Sequence, residues 1–381
     1  MNTLVSHAVD MLKGQARVPG DKSVSHRAIM LSGIAAGETV ITGLLEGEDV
    51  LRTARAMISM GVIVKPPEKP GGVWRVDGIG KHPLRQPRGL IDLGNSGTST
   101  RLLMGMIAGY PVNATLTGDA SLTRRPMGRV ILPLSRMGAQ FEATSGDRLP
   151  LKIGGSSSLR SIHYELPVAS AQVKSAVILA ALRAQGETTI IEPKPTRDHT
   201  ERMLRFFGVD VKSETRPDGA AVITVSGDTP VLISRHIIVP SDPSSAAFPV
   251  VAALITPDSD IVVPNVLMNP LRGGLYETLK EMGANISFDS PREKSGESIA
   301  NIRVSSSALK GVTVPPSRVP SMIDEFPILA VAAAFAEGRT VMTDLAELRV
   351  KESDRLTATA SLLQAAGVKV ETGADSMTIH G

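Results

Sequence analysis

Apolar positions along the chain fall into two alternating kinds of segment. The first kind is apolar nearly all round, as in SHRAIMLSGIAAGETVITG, GTSTRLLMGMIAGYPVNATLTG, SAQVKSAVILAALRAQGETTII, SSAAFPVVAALITPDSDIVV and IDEFPILAVAAAFAEGRTVMTDL. Each opens on polar or small residues, continues as a helix, turns, and runs on as a strand. The turn positions Gly37, Gly109, Gly186, Asp258 and Gly338 stand 72, 77, 72 and 80 residues apart. The second kind alternates charge and hydrocarbon at helical spacing and runs into glycine. It reads VLRTARAMISMGVIV, RVILPLSRMGAQF, TERMLRFFGVDV, GGLYETLKEMGANI and RLTATASLLQAAGVKV, closing on Gly61, Gly138, Gly208, Gly283 and Gly367. Glycine after the last turn predicts a left-handed cap, and short strands such as WRVDG, PLKIGG, VITVSG and MTIHG end the unit. The pattern predicts five copies of a mixed helix and strand module of about 75 residues. The helices that are apolar all round belong inside a domain, and the amphipathic ones cover it.

Composition narrows what such a chain does. Its 381 residues are 42% hydrophobic and 21% charged, an ordinary globular make-up for two or three domains. Aromatics are only 3%, so the core is aliphatic, and stacking platforms for nucleic acid are scarce. A net charge of +3 argues against bulk electrostatic binding of nucleic acid. There is no cysteine, which excludes disulfides and thiolate chemistry. The longest apolar run, Ile328 to Ala336, is far shorter than a membrane span. The first 25 residues lack a signal-peptide core, so a cytoplasmic location is the default expectation.

Candidate chemistry sits at the starts of the apolar helices: DKSVSHR, GNSGTSTR, ASAQVKS, SDPSSAA and PSMIDEF. Free backbone N–H groups and the helix dipole make such ends anion sites. Lys22 and Arg27 beside Ser23 and Ser25 form a phosphate-binding combination, although a solvated basic turn explains them equally well on chemistry alone. The stretch is not a Walker A loop, because Asp21 separates Gly20 from Lys22. Asp92 to Arg101 repeats the logic with glycines, and Ser121 to Arg129 carries three arginines. Two acidic groups come with cations, Asp324-Glu325 and Lys351-Glu352-Ser353-Asp354-Arg355. Asp354 and Glu325 read as helix caps, and Asp198 with Glu201 reads as a capping box. Nothing local decides the role of His199 beside Arg197. The other histidines lack ligand spacing, so no metal is expected.

Seven motifs follow one another in order: PGDKSVSHR, LGNSGTSTR, GDASLTRRPMGR, ASAQVKSA, TRDHTERML, PSMIDEFPILAVAAAFAEG and ELRVKESDRL. Together they resemble the enolpyruvyl transferase family in its shikimate branch, from about Gly14 to Gly381. The resemblance implies transfer of the enolpyruvyl group of phosphoenolpyruvate to the 5-hydroxyl of shikimate 3-phosphate, through a tetrahedral intermediate, on the route to chorismate and the aromatic amino acids. It implies an α/β (α+β) fold, inverse-barrel-like, with two domains of three βαβαββ units each that close at a hinge. Residues 20–240 would form an inserted three-unit domain. Residues 1–19 and 241–381 would form the second, with five of the six units present. An inactive or partner-complemented fragment is therefore one alternative. The sister enzyme acting on UDP-N-acetylglucosamine is another, although its cysteine-bearing loop is absent here.

By the same resemblance, Lys22, Ser23, Arg27, Ser170, Ala171, Gln172, Arg197, Asp324 and Lys351 match contacts to shikimate 3-phosphate. Lys22, Gly97, Arg125, Gln172 and Arg355 match contacts to phosphoenolpyruvate. Asp324 matches the base for the 5-hydroxyl proton, and Glu352 the acid for the methylene carbon, with Lys22 a further catalytic group. No metal or organic cofactor is implied, and a monomer without nucleic-acid or membrane partners is expected. RDHTE, SAQVK and GDKS resemble the second class of the family, which includes glyphosate-tolerant members. Leu271 departs from that class, and Gly97 stands where a tolerant member has alanine, which argues against strong tolerance.

Overall fold

The computed structural model describes residues 5, 7–228 and 231–381; residues 1–4 and 6 of the expected N-terminal segment lie outside the described residues. Two compact units divide the chain. One is Gly20–Pro240 with Lys294–Glu297, here the inserted unit. The other is Met1–Pro19, Ser241–Glu293 and Ser298–Gly381, here the flanking unit.

Among the described residues there are twelve α-helices, ten of which are the paired helices of the five repeats. The inserted unit holds α1 (Lys22–Ile34), α2 (Glu48–Ser59), α3 (Gly97–Ala108), α4 (Gly128–Met137), α5 (Ala171–Ala181) and α6 (His199–Phe206). The flanking unit holds α7 (Pro243–Ile255), α8 (Gly274–Glu281), the short α9 (Val319–Met322), α10 (Phe326–Ala334), the short α11 (Ala346–Arg349) and α12 (Arg355–Ala365). The expected division of labour is observed in the inserted unit. All of α1 from Val24 onward is buried, as is α5 from Val173 onward. On α2, by contrast, burial is confined to Val50, Thr53, Ala54, Ala56 and Met57, one face of an amphipathic helix. The five closing glycines all adopt positive φ, from 85° at Gly367 to 110° at Gly138. Of the five turn positions after the apolar helices, Gly109 alone keeps negative φ, at −85°.

Each repeat builds the same sheet. In the second copy Ile91–Asp92 runs parallel to Asn113–Thr117, which pairs antiparallel with Arg148–Gly154, and Gln140–Thr144 takes the far edge. The third copy repeats this order with His163–Glu165, Glu187–Glu192, Ala221–Ser226 and Val211–Thr215. The first copy lacks a leading strand of its own. His236–Ile238, the last strand before the chain leaves the unit, lies parallel to Ala36–Thr42 in its place. The three-copy unit is thereby closed end to end, and Asp21 N–H donates to the Pro240 carbonyl at 2.7 Å where its ends meet. The flanking unit borrows in the same way: Lys13–Gln15 supplies the parallel strand for Asp260–Leu267. In the fifth copy that place is taken by isolated parallel bridges of Lys310 to Glu337 and Thr313 to Val341, beside Arg339–Met342, Met377–His380 and Lys369–Thr372.

The core is aliphatic, with one cluster in each unit. Inside the inserted unit α3 and α5 pack almost backbone to backbone. A Cβ placed on Gly105 would lie 2.1 Å from the Ala176 carbonyl oxygen, which no side-chain movement relieves. Gly105→Ala should therefore destabilise the protein by about 2 kcal/mol or more through overpacking, read as a lowered urea midpoint with unchanged m-value. A midpoint equal to that of the parent protein would contradict the close approach.

Candidate active site

In the inserted unit the chemistry begins with how the apolar helices start. Asp21 caps α1 by accepting from Val24 N–H at 2.7 Å, Ser96 caps α3 from Ser99 N–H at 3.2 Å, and Ser170 caps α5 from Val173 N–H at 3.4 Å. A capping side chain satisfies one orphan donor and leaves its neighbours available. The cap on α1 is itself a carboxylate, so attraction for an anion there rests on Lys22 and Arg27 more than on the dipole.

Around the start of α3 four groups meet. Arg101 Nη1 donates to Gln172 Oε1 at 2.6 Å, and Gln172 Nε2 donates to Thr98 Oγ1 at 2.9 Å. Arg125 donates to Ser121 Oγ at 3.2 Å and to the Asn95 side chain. A Cβ on Gly97 would lie 3.0 Å from Arg101 Nη1 and 3.2 Å from Arg125 Nη1, so glycine leaves room for both guanidinium groups. Gly97, Arg125 and Gln172 are thus brought together. Arg101 lies in LGNSGTSTR but has no role by the resemblance; its place one turn after Gly97 is the signal that marks it.

Lys22 is half exposed and reaches Asp49 at 3.7 Å. Arg27 is only 4% exposed and is committed internally, donating to Ser23 O at 3.0 Å, Ser175 Oγ at 2.9 Å and Thr200 Oγ1 at 2.7 Å. Burial lowers its pKa to about 10, against the pull of the Glu201, Asp21 and Glu297 carboxylates, and the Arg197 charge adds to the lowering. Arg27 therefore stays protonated and ties the start of α1 to α5 and α6, with Arg197 near by. His26 is fully buried, with Nδ1 2.8 Å from Thr53 Oγ1; Thr53 lies 2.6 Å from Ser99 Oγ, itself 2.6 Å from Ser96 Oγ. Its pKa is lowered to about 3, by burial first and then by the Lys22 and Arg27 charges.

Two capping expectations fail here. Asp198 stands at the N-cap of α6 without a capping bond and pairs with Arg202 at 2.8 Å. Glu201 is buried and binds Lys174 Nζ at 2.8 Å. A carboxylate beside a buried ammonium gains more there than at a helix end. His199, left open by the sequence, is buried with Nδ1 2.6 Å from Glu297 Oε1.

The flanking unit carries a compact carboxylate and arginine group. Arg355, the first residue of α12, donates to Glu352 Oε1 at 2.7 Å and Oε2 at 3.1 Å, and to Asp324 Oδ1 at 3.1 Å. Burial opposes its charge, but the bond to Glu352 and the Asp324 carboxylate outweigh it and raise its pKa. Asp354 caps α12, accepting from Thr357 N–H at 3.0 Å as expected. Glu325 does not cap α10. It is 3% exposed, accepts from the Ser244 hydroxyl and lies 3.4 Å from Arg272 Nη2. The fifth apolar helix also starts differently: α9 ends at Met322, and α10 begins at Phe326 with Pro327 in its first turn. Lys351 lies between α11 and α12, one residue before Glu352. Among the described residues no cluster of metal-ligating side chains is found, and no helix is long and apolar enough to cross a membrane.

The family described as EPSP synthase (3-phosphoshikimate 1-carboxyvinyltransferase) matches residues 7–381. Proteins named 3-phosphoshikimate 1-carboxyvinyltransferase are similar over nearly the whole chain. That of Paramagnetospirillum magneticum is 58% identical over 99% of this chain and 84% of its own length. That of Zymomonas mobilis is 55% identical over 99% and 83%. Among solved structures, the EPSP synthase of Acinetobacter baumannii superposes with a TM-score of 0.86 at 49% identity, covering 97% of this chain and 82% of that one. The enolpyruvyl transferase NikO of Streptomyces tendae shares the fold, with a TM-score of 0.74 at 15% identity over 98% of this chain and 83% of that one. These matches lend no support to the inactive-fragment alternative.

The buried imidazole gives a measurable pH dependence. Its folded pKa of about 3 lies below the ordinary 6.5, so between those values the unfolded chain binds a proton that the folded chain refuses. Stability from His26 is complete above about 6.5 and is lost as the pH falls toward 3. Relative to His26→Gln, the parent should lose about 2 kcal/mol of urea-unfolding free energy between pH 7 and pH 5. A difference between the two proteins that does not change with pH would refute this.

Proposed function

Because the chain belongs to the EPSP synthase family, we propose that its two polar clusters carry out that family's reaction: transfer of the enolpyruvyl group of phosphoenolpyruvate to the 5-hydroxyl of shikimate 3-phosphate, with release of phosphate. The reaction is a step of the shikimate pathway toward the aromatic amino acids. The observation that supports the reading most is the convergence of Gly97, Arg101, Arg125 and Gln172 on two adjoining helix starts. Both substrates carry a phosphate and a carboxylate, and guanidinium forks with free backbone N–H groups are the chemistry that binds them.

In this reading Arg125, Gln172 and the backbone at Gly97 hold phosphoenolpyruvate with Lys22 and Arg355. Ser23, Ser170, Ala171, Gln172, Arg197 and Lys351 hold shikimate 3-phosphate. Arg27 orients its surroundings as well as adding charge, since three of its N–H groups already bind the protein. Asp324 takes the 5-hydroxyl proton as the oxygen attacks C2 of the enol phosphate, and Glu352 delivers a proton to the methylene carbon. The tetrahedral adduct then loses a methyl proton and its phosphate, restoring the double bond. Arg355 orients both carboxylates through charge-assisted bonds. No metal or cofactor enters this chemistry. The enzyme acts as a monomer in the cytoplasm, and glyphosate competes with phosphoenolpyruvate.

Phosphate release from the two substrates tests the reading. Asp324→Asn and Glu352→Gln should each lower kcat by about 10²- to 10⁴-fold without lowering the melting temperature. A folded parent chain that releases no phosphate would sink the assignment. Gly97→Ala should press on Arg101 and Arg125, raising the inhibition constant of the longer glyphosate more than the KM of phosphoenolpyruvate. Equal changes in the two constants would remove Gly97 from the site.

A further inference from the structure

Lys174 is a cation with no path to solvent, at 1% exposure. It lies two residues after Gln172 on α5 and next to Ser175, which accepts from Arg27. An ammonium has three N–H groups, and here each has an acceptor: Glu192 Oε2 at 2.7 Å, Glu201 Oε1 at 2.8 Å and the Thr196 carbonyl at 3.2 Å. The Thr196 hydroxyl donates to the other oxygen of Glu192. Both polar groups of Thr196 therefore end on the same buried cluster, and the next residue is Arg197.

The segment between strand Glu187–Glu192 and α6 is also tied at its far end, where Asp198 pairs with Arg202 at 2.8 Å. Pro193 and Pro195 carry no N–H, so a backbone ladder cannot run through it. Stability alone does not account for the cluster, because a buried ion group is often no more stabilising than apolar residues of the same volume. Glu201 Oε2 is buried without a hydrogen-bond partner among the described residues, a further cost of the arrangement. What the cluster supplies is direction. Salt-bridged carboxylates on one side and a carbonyl on the other fix where Thr196 sits relative to the start of α5.

We propose that Lys174 is a positioning residue for the reaction, holding the Thr196–Arg197 segment against α5 so that Arg197 shares one phosphate with the Ser170–Gln172 turn. The proposal rests on the reading that these groups bind shikimate 3-phosphate. Lys174 touches no substrate; it acts through Thr196 on Arg197. Its loss should therefore weaken one substrate and spare the other.

The test measures shikimate 3-phosphate binding by calorimetry and both KM values by phosphate release, for the parent, Lys174→Met, Thr196→Val, Arg197→Ala and the double variant Lys174→Met/Arg197→Ala. In Lys174→Met the Kd for shikimate 3-phosphate should rise about 10-fold or more, with the phosphoenolpyruvate KM within about twofold. Thr196→Val should show the same selectivity with a smaller change, of about threefold. In the Arg197→Ala background Lys174→Met should add less than about twofold, because the two act on one contact. Losses that multiply in the double variant, equal rises in both KM values, or an unchanged Kd in a folded Lys174→Met would each overturn the proposal. Should Lys174→Met fail to fold, Thr196→Val decides alone, and a parental Kd for it overturns the proposal. A parent that turns over normally while the variants keep its Kd defeats the proposal only. A parent that binds no shikimate 3-phosphate defeats the functional reading and the proposal with it.

Discussion

In the inserted unit the helices that are apolar on every side are enclosed on every side, whereas Phe248 on α7 of the flanking unit stays 61% exposed, and enclosure leaves only the helix ends to meet a ligand. Much of this protein follows from that constraint. Helices α1, α3 and α5 are wrapped by their own sheets and by one another, closely enough that Gly105 meets the Ala176 carbonyl without room for a methyl group. Enclosure leaves their N-termini as the places open to a ligand, and those are the places where Lys22, Gly97 and Gln172 stand. The amphipathic helices then have a covering task, and their polar faces carry little of the proposed chemistry.

Charge inside the fold is arranged to keep those ends in place. Arg27 stays protonated although buried, because hydroxyl and carbonyl acceptors from α1, α5 and α6 surround it. Lys174 keeps its charge for a related reason: burial opposes it, but Glu201 and Glu192 raise its pKa beyond that cost. His26 goes the other way and stays neutral, as burial and the neighbouring cations demand. One principle covers all three: a buried group keeps whichever charge state its surroundings can solvate. In the flanking unit the buried Glu325 side chain is held by Arg272 and Ser244.

Periodicity made the architecture readable. Five apolar helices, five amphipathic ones and five closing glycines announced a repeated module, and among the described residues four four-stranded sheets of one strand order, with a fifth that lacks only the leading strand, are its expression. The cap at Asp354 was readable too, because capping is a contact within one turn of the chain. Capping failed as an explanation for Glu201 and Glu325. Their partners, Lys174 and Arg272, lie 27 and 53 residues away in the chain, and no local pattern encodes such a meeting. His199 was undecidable for the same reason, since Glu297 arrives from a hairpin nearly a hundred residues later.

By itself the sequence determined the repeat, the aliphatic cores, the family and the positions of the helix starts, because each depends on neighbours within a few turns of chain. Only the tertiary structure decided how the repeats close on themselves, with His236–Ile238 completing the sheet begun at Ala36. It alone decided that Arg27 and Lys174 face inward as braces, and that Arg101 reaches Gln172. Those outcomes depend on which distant carboxylates, hydroxyls and carbonyls are carried into contact when water is excluded. Burial then makes each such contact worth keeping, and a linear pattern of residue types holds no record of it.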